Sequence, residues 1–226
     1  MSHEGMMNRR HMLAGMAALA ASAPFAGTAH AASLTGLLGK ASDIALDRLM
    51  QPGAFYADPA VRIGLPLVGG QGGTIGTLLN AGRGLGLLDG FTRKLNDAAG
   101  AAAGKAKPIF RTAIDKLSLA DVPGIVGQND GASQYLRTSA GTELHAALRP
   151  LIDTALTQLG AFRQLDKLTA KSGLLRGSGI GRDTLGKSVT GQALDGIFKY
   201  MGTEEGKLRA DPLGTAGKVL QGVLGN

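Results

Sequence analysis

Between Asn129 and Gly160 the chain reads NDGASQYLRTSAGTELHAALRPLIDTALTQLG, and Leu136, Ala140, Leu144, Leu148, Leu151, Ala155 and Leu159 recur at spacings of three and four. That periodicity places them on one face of a long helix, with Thr138, Glu143, Arg149, Asp153 and Gln158 elsewhere. Asp130, just ahead of Gly131-Ala132-Ser133, is expected as the N-cap, its carboxylate accepting a bond from an unpaired first-turn amide. Pro150 lacks a backbone donor and crowds the preceding turn, so the reading is a kinked helix, or two helices meeting at Arg149-Pro150. An apolar stripe of this length needs partner helices, and the flanking segments supply them.

The 226 residues are 44% hydrophobic and only 4% aromatic, with 36 glycines, no Cys and no Trp. This is the size of one domain with a real apolar core. Scarce aromatics and abundant Ala, Leu and Gly suit closely packed helices better than a β-sandwich. The expected fold is therefore all-α: a single-domain multi-helix bundle with a long kinked central helix and at most one short extended segment near 61–66.

The N-terminus has a different character. Asn8-Arg9-Arg10-His11 leads into the apolar run Met12 to Ala26, and Ala29-His30-Ala31 then forms a small-x-small cleavage signature before Ala32. A run of about 15 residues falls short of the roughly 20 needed to span a bilayer. Basic flank, apolar run and cleavage site occur in the order of a signal peptide, with cleavage expected between Ala31 and Ala32. The paired arginines resemble a twin-arginine export signal, although Asn8 and Met12 depart from it and the general secretory route is the alternative. Residues 1–31 are thus expected to be removed, leaving 32–226 as one helical domain in a Gram-negative periplasm. No cysteine follows the cleavage site to carry a lipid anchor, and no transmembrane segment is expected in the mature chain. Without Cys there are no disulfides, so the core must hold the fold unaided. A formal charge of +7 would suit peripheral contact with anionic lipid headgroups. Lys and Arg are scattered, however, which favours a merely solvated basic surface, and nucleic acid is an improbable partner in that compartment.

Along the mature chain, Ser33 to Met50 reads as a helix with Ser33 as a possible cap, ended by Gln51-Pro52-Gly53. Val61 to Pro66 alternates, and Pro59 and Pro66 confine it to an isolated or edge position. The glycine-rich stretch 69–90 reads as a loop with one frayed or broken helix over Thr74 to Leu88. Helices are expected over Phe91–Ala106, whose small residues permit close crossing, and over Pro108–Leu117, with a short helical turn from Ser118 to Val126. After the central helix come a short helix Ala161–Ala170, a loop-like Ser172–Gly186, a helix Ser188–Gly206 with Val189, Leu194, Ile197, Phe198 and Met201 on one face, and a turn at Asp211 capping a last helix, Ala216–Leu224.

Gly181-Arg182-Asp183-Thr184-Leu185-Gly186-Lys187-Ser188 matches the P-loop pattern letter for letter. A working P-loop needs a buried strand immediately before it, and Leu174 to Ile180 is not one; the chain also lacks a βαβ pattern. The match is a chance product of a glycine-rich chain. Glycines 82, 84 and 86 have the wrong spacing for a dinucleotide fingerprint. In the mature chain His145 is the sole histidine, so neither a typical zinc site nor a Ser-His-Asp triad is expected, and no GxSxG elbow occurs. No catalytic residue, metal site or cofactor is therefore assigned, and His145 is read as a helix-surface or boundary residue. A carboxylate-pair hydrolase remains formally open, though nothing in the sequence pairs two acids.

With these stretches in view, the chain resembles the exported bacterial family catalogued as domain of unknown function 4197, over roughly Leu34 to Gly225. The resemblance is carried by Asn96-Asp97-Ala98-Ala99, Ala113-Ile114, Gly127 to Arg137, Ala193-Leu194-Asp195-Gly196-Ile197-Phe198, Glu204-Glu205, and Arg209 through Thr215. It implies a mostly helical envelope protein with no established activity. The chain departs from the family pattern at Gly69–Gly90, where a more regular charged helix is usual.

Asp130, Arg137, Asp195, Glu205, Arg209 and Asp211 lie close to apolar stripes, and buried charges must be paired to be tolerated. One reading makes them helix caps and ion pairs. The other makes them, with Tyr135, the polar end of an apolar pocket between helices. Either way the expected protein is non-enzymatic, binding an apolar or amphipathic small molecule or an envelope partner. A purely structural or interaction protein without ligand is the alternative.

Overall fold

A computed structural model describes residues 25–66, 87–118, 128–171 and 179–211. Six helices form there: α1 (Phe25–Leu49), α2 (Ala54–Ala57), α3 (Leu87–Asp115), α4 (Gly131–Gln158), α5 (Ala161–Lys171) and α6 (Arg182–Ala210). No strand occurs among the described residues. The fold is the expected all-α bundle.

Four long helices close a ring in which α1 packs on α3, α3 on α4, α4 on α6, and α6 back on α1. Neighbours run antiparallel. Asp43 of α1 pairs with Arg111 of α3 and Asp47 with Lys107. Lys116, just past α3, pairs with Glu143 of α4, and Arg137 and Arg149 of α4 pair with Asp195 and Asp183 of α6. The result is an up–down–up–down bundle. Its core holds Leu38, Leu46 and Leu49 from α1, Phe91, Leu95, Phe110 and Ile114 from α3, and Leu136, Leu144 and Leu148 from α4. Met201, Ile197 and Val189 come from α6, and Phe110 meets Phe198 edge-on at 6.0 Å between ring centroids.

Small residues set the α1–α3 crossing, as expected. Ala98, Ala99, Ala102, Ala103 and Ala106 are buried, and a methyl group at Gly100 would stand 3.3 Å from the Leu49 carbonyl. Such proximity is open only to side chains of minimal size.

Several expectations are corrected. Ser33 lies inside α1, which starts at Phe25, and so is not at the helix's N-terminus. Phe91–Ala106 and Pro108–Leu117 are one helix, α3, because Pro108 and Gly104 lie on its exposed face, where water can satisfy the freed carbonyl. At Pro150, also exposed, α4 runs on as one helix, the single-helix reading of the two expected there. Beyond Pro150 the buried stripe continues every fourth residue, to Ile152 and Leu156, leaving Leu151 half-buried and Leu159 exposed. Residues 182–186 are helical, not loop, so the P-loop lookalike lies mostly within the first turns of α6. There Lys187 pairs with Asp183, Ser188 accepts a bond from Gln192, and Gly186 leaves space for the Arg149–Asp153 pair to lie against α6. The expected elements at residues 74–86, 119–126 and 216–224, and the turn after Asp211, lie outside the described residues.

Segment 61–66 forms no strand: Val61 lies in a turn and residues 62–66 are irregular. Two side-chain amides bind its backbone. Asn96 of α3 accepts from the Ile63 N–H at 2.8 Å and donates to the Ile63 carbonyl at 2.9 Å. Gln192 of α6 accepts from the Gly64 N–H at 2.9 Å and donates to its carbonyl at 3.1 Å. Ile63 is thus bonded to α3 and Gly64 to α6.

Candidate functional site

The start of α4 is anchored from the far end of the chain. Asp130 occupies the N-cap position, but its side chain makes no capping bond, contrary to expectation. Glu205 of α6 performs that role. Its carboxylate accepts from the Ala132 and Ser133 amides at 3.0 and 2.8 Å and from the Ser133 hydroxyl at 2.6 Å. Arg209, one turn on, donates two bonds to the same carboxylate at 3.0 and 2.8 Å. Glu205 is fully buried. The negative charge also sits at the positive end of the α4 dipole. Glu205 and Arg209 therefore hold helices together, as the capping reading expects.

Asp130, released from capping, faces a trough of about 710 Å³. Its floor is α6, from Gln192 through Thr203; one wall is the start of α4 and the other is the turn Ala60–Arg62. Each wall rests on a glycine of the floor. A methyl group at Gly196 would meet Phe55 and Val61 at 3.0 and 3.2 Å, and one at Gly202 would meet Asp130 at 3.0 Å. Within the trough Asp130 accepts a bond from Gln134 at 3.1 Å. Arg137 is bonded to Asp195 across it, its guanidinium 5.7 Å from the Phe198 ring centre. A second cleft of about 400 Å³ continues along the same seam, lined by Gly141, His145, Gly191 and Leu194. Arg137, Asp195 and Phe198 border both. The first cleft is polar and the second more apolar, a division the expectation of one apolar pocket did not contain.

Of the seven expected ligand-binding residues, the structure brings together Asp130, Arg137 and Asp195. Glu205 and Arg209 sit in the buried cap. Tyr135 faces away, its hydroxyl donating to the Ser118 carbonyl at 3.4 Å. Asp211 follows α6, exposed, its amide bonded to the Lys207 carbonyl at 3.0 Å. Sequence reasoning missed Arg62, Gln192 and Lys199, which line the trough. Only Gln192 carried a signal, as a polar side chain beside the Val189–Leu194 apolar face. Among the described residues no group of three or more His, Asp or Glu converges as a metal site, and no helix is long and apolar enough to cross a membrane.

The turn forming the second wall is fixed by Asp58. Its carboxylate accepts from the Ala60 N–H at 2.8 Å and from the Tyr200 hydroxyl at 2.8 Å. The Ala60 bond, followed by that from Tyr200, holds the Asp58 carboxyl below its ordinary value of 3.8. Burial, followed by the bond to Asp58, pushes the Tyr200 hydroxyl above 10.0. A depressed carboxyl value stabilises the fold above its unfolded value, and that contribution is lost as the pH falls from about 4 through the folded value. Asp58→Asn should therefore flatten the stability loss between about pH 7 and pH 3 in urea titrations. An unchanged loss would show that this turn does not depend on the charged carboxylate.

Neither a curated protein sequence nor a solved structure matches this chain. Residues 26–225 match the family described as a protein of unknown function (DUF4197), and the chain belongs to that family.

Proposed function

We propose that this protein is a non-enzymatic, exported binder of an amphipathic small molecule, held along the seam between α4 and α6. One observation carries the reading: two contiguous clefts of unlike polarity share Arg137, Asp195 and Phe198. Their volumes fall in the range of small-molecule sites, roughly 300–1,000 Å³. A polar head and an apolar tail would each find a matching surface without a break between them. The carboxylates in the trough are engaged by Gln134 and Arg137, which suits orientation of a ligand better than proton transfer. The basic N-terminal segment with its apolar run and Ala29-His30-Ala31 supports placement in the periplasm.

The test is mass spectrometry of the organic extract from protein purified natively from periplasm without detergent. A stoichiometric amphiphile is expected. Arg137→Ala should empty the extract while leaving helical circular dichroism intact, because a half-exposed ion pair contributes only about 0–1 kcal/mol to stability. A clean extract from the unaltered protein, together with no binding of an added amphiphile, would sink the reading and leave a structural or protein-partner role.

A further inference from the structure

Resting on that reading, we infer that the ligand is a single-chain amphiphile with an anionic head, its head against Lys199 and Arg137 and its chain between Gly141 and Gly191. The charge argument starts from what each ionic group in the trough already touches. Asp130 and Asp195 are engaged by Gln134 and Arg137 on the α4 side. Two further cations line the trough toward the opposite wall. Among the described residues Lys199 reaches only a backbone carbonyl, that of Ala60, at 3.4 Å. Arg62 donates to the Tyr56 carbonyl and lies over the Tyr56 ring at 4.7 Å. Among the described residues neither forms an ion pair with a carboxylate. Asp58 is near both, but its two oxygens are already bonded to Ala60 and Tyr200. An ammonium without a carboxylate partner, opposite a guanidinium held by a half-exposed pair, recognises a phosphate or carboxylate head. Arg137 borders both clefts and can turn from Asp195 to that head.

The chain argument rests on shape. Among the described residues nothing beyond the local helix backbone lies within 4 Å of where a side chain would begin at Gly141 or Gly191, so the second cleft owes its width to those missing side chains. With Leu194 and Phe198 also lining it, a cleft of about 400 Å³ has room for one acyl chain and not two. One head and one chain account for both clefts.

The experiment is calorimetric titration of the full chain with lysophosphatidylglycerol below its micelle concentration. Monoacylglycerol, which offers the same chain without a charged head, inorganic phosphate and phosphatidylglycerol vesicles serve as comparisons. Saturable one-to-one binding is expected for lysophosphatidylglycerol, with phosphate and vesicles binding at least about tenfold more weakly. Lys199→Gln should cost at least about tenfold toward lysophosphatidylglycerol and nothing toward monoacylglycerol, since a bond to a charged group is lost only with the anionic head. Gly191→Leu should abolish binding of both by filling the cleft, and Gly141→Ala should weaken it if the leucine variant fails to fold. Equal affinity for lysophosphatidylglycerol and monoacylglycerol, or binding to vesicles or phosphate as tight as to lysophosphatidylglycerol, would overturn the inference. If the native extract contains an amphiphile of another class, the inference falls and the proposed function stands. An empty extract with no lysolipid binding removes both.

Discussion

Glu205→Ala is expected to destabilise the protein by about 3–5 kcal/mol, the range for removing one partner from a buried ionic cluster. Against a typical total of roughly 5–15 kcal/mol, that removes about a fifth of the stability at the least and all of it at the most. The size follows from what would be stranded: the Ala132 and Ser133 amides, the Ser133 hydroxyl and the Arg209 guanidinium, all converging on a carboxylate with no exposed surface. These amides belong to the first turn of α4, where no intrahelical acceptor exists. Glu205→Gln keeps an acceptor of the same shape but aims an N–H₂ group at donors. It should lose less, about 1–3 kcal/mol. Urea unfolding followed by circular dichroism measures both, with the midpoint moving and the slope unchanged. Arg137→Ala is the internal comparison, since its pair with Asp195 is about half exposed and should cost no more than about 1 kcal/mol. If Glu205→Ala also stays within about 1 kcal/mol, the cap is not what joins α4 to α6.

The same residues show how far the sequence could be read. The apolar periodicity of Leu136 to Leu148 and of Val189 to Met201 placed two helix faces correctly, because burial on a helix follows spacing. Beyond Pro150, Leu151, Ile152, Ala155, Leu156 and Leu159 satisfy several helical stripes at once. Which of them is buried depends on how α3 and α5 pack there, and that is tertiary information. The N-cap failed for a related reason. Local chemistry names Asp130, whereas the acceptor that serves the amides comes from 72 and 73 residues away. Pro108 was over-read as a break: a proline ends a helix when its freed carbonyl is trapped, and Pro108 lies on an exposed face. For the candidate site, charged residues beside apolar stripes were visible, so Arg137 and Asp195 could be named, but not that they pair. Lys199 and Arg62 could not be singled out, since a solvated lysine and one facing a trough read identically in a chain.

Asn96→Ala should cost roughly 2–5 kcal/mol, the second large effect, and should act on the trough through its wall. Asn96 is buried, and its amide satisfies both backbone groups of fully buried Ile63 while also donating to the Thr92 carbonyl at 2.8 Å. Removing it leaves the Ile63 N–H and carbonyl without partners in a dry site, each worth about 1–3 kcal/mol. Gln192→Ala makes the equivalent deletion at Gly64, but that residue is exposed and water can replace the amide, so the loss should be under about 1 kcal/mol. Asn96→Asp separates the roles of the two amide atoms. The carboxylate still accepts from Ile63, yet its second oxygen faces the Ile63 and Thr92 carbonyls that the amide N–H₂ had bridged. Burial and those carbonyls raise its folded value above the unfolded one, so this variant should gain stability as the pH falls through the folded value toward about 4, where a protonated acid can donate again. Hydrogen exchange supplies the local measurement. In Asn96→Ala the amides of Ile63 and Gly64 should exchange faster, while those of α4 lose protection only with the global fall in stability. An Ile63 amide that stays protected would mean the turn is held by the packing of Val61 on Gly196 and by Asp58, with Asn96 merely filling the space beneath it.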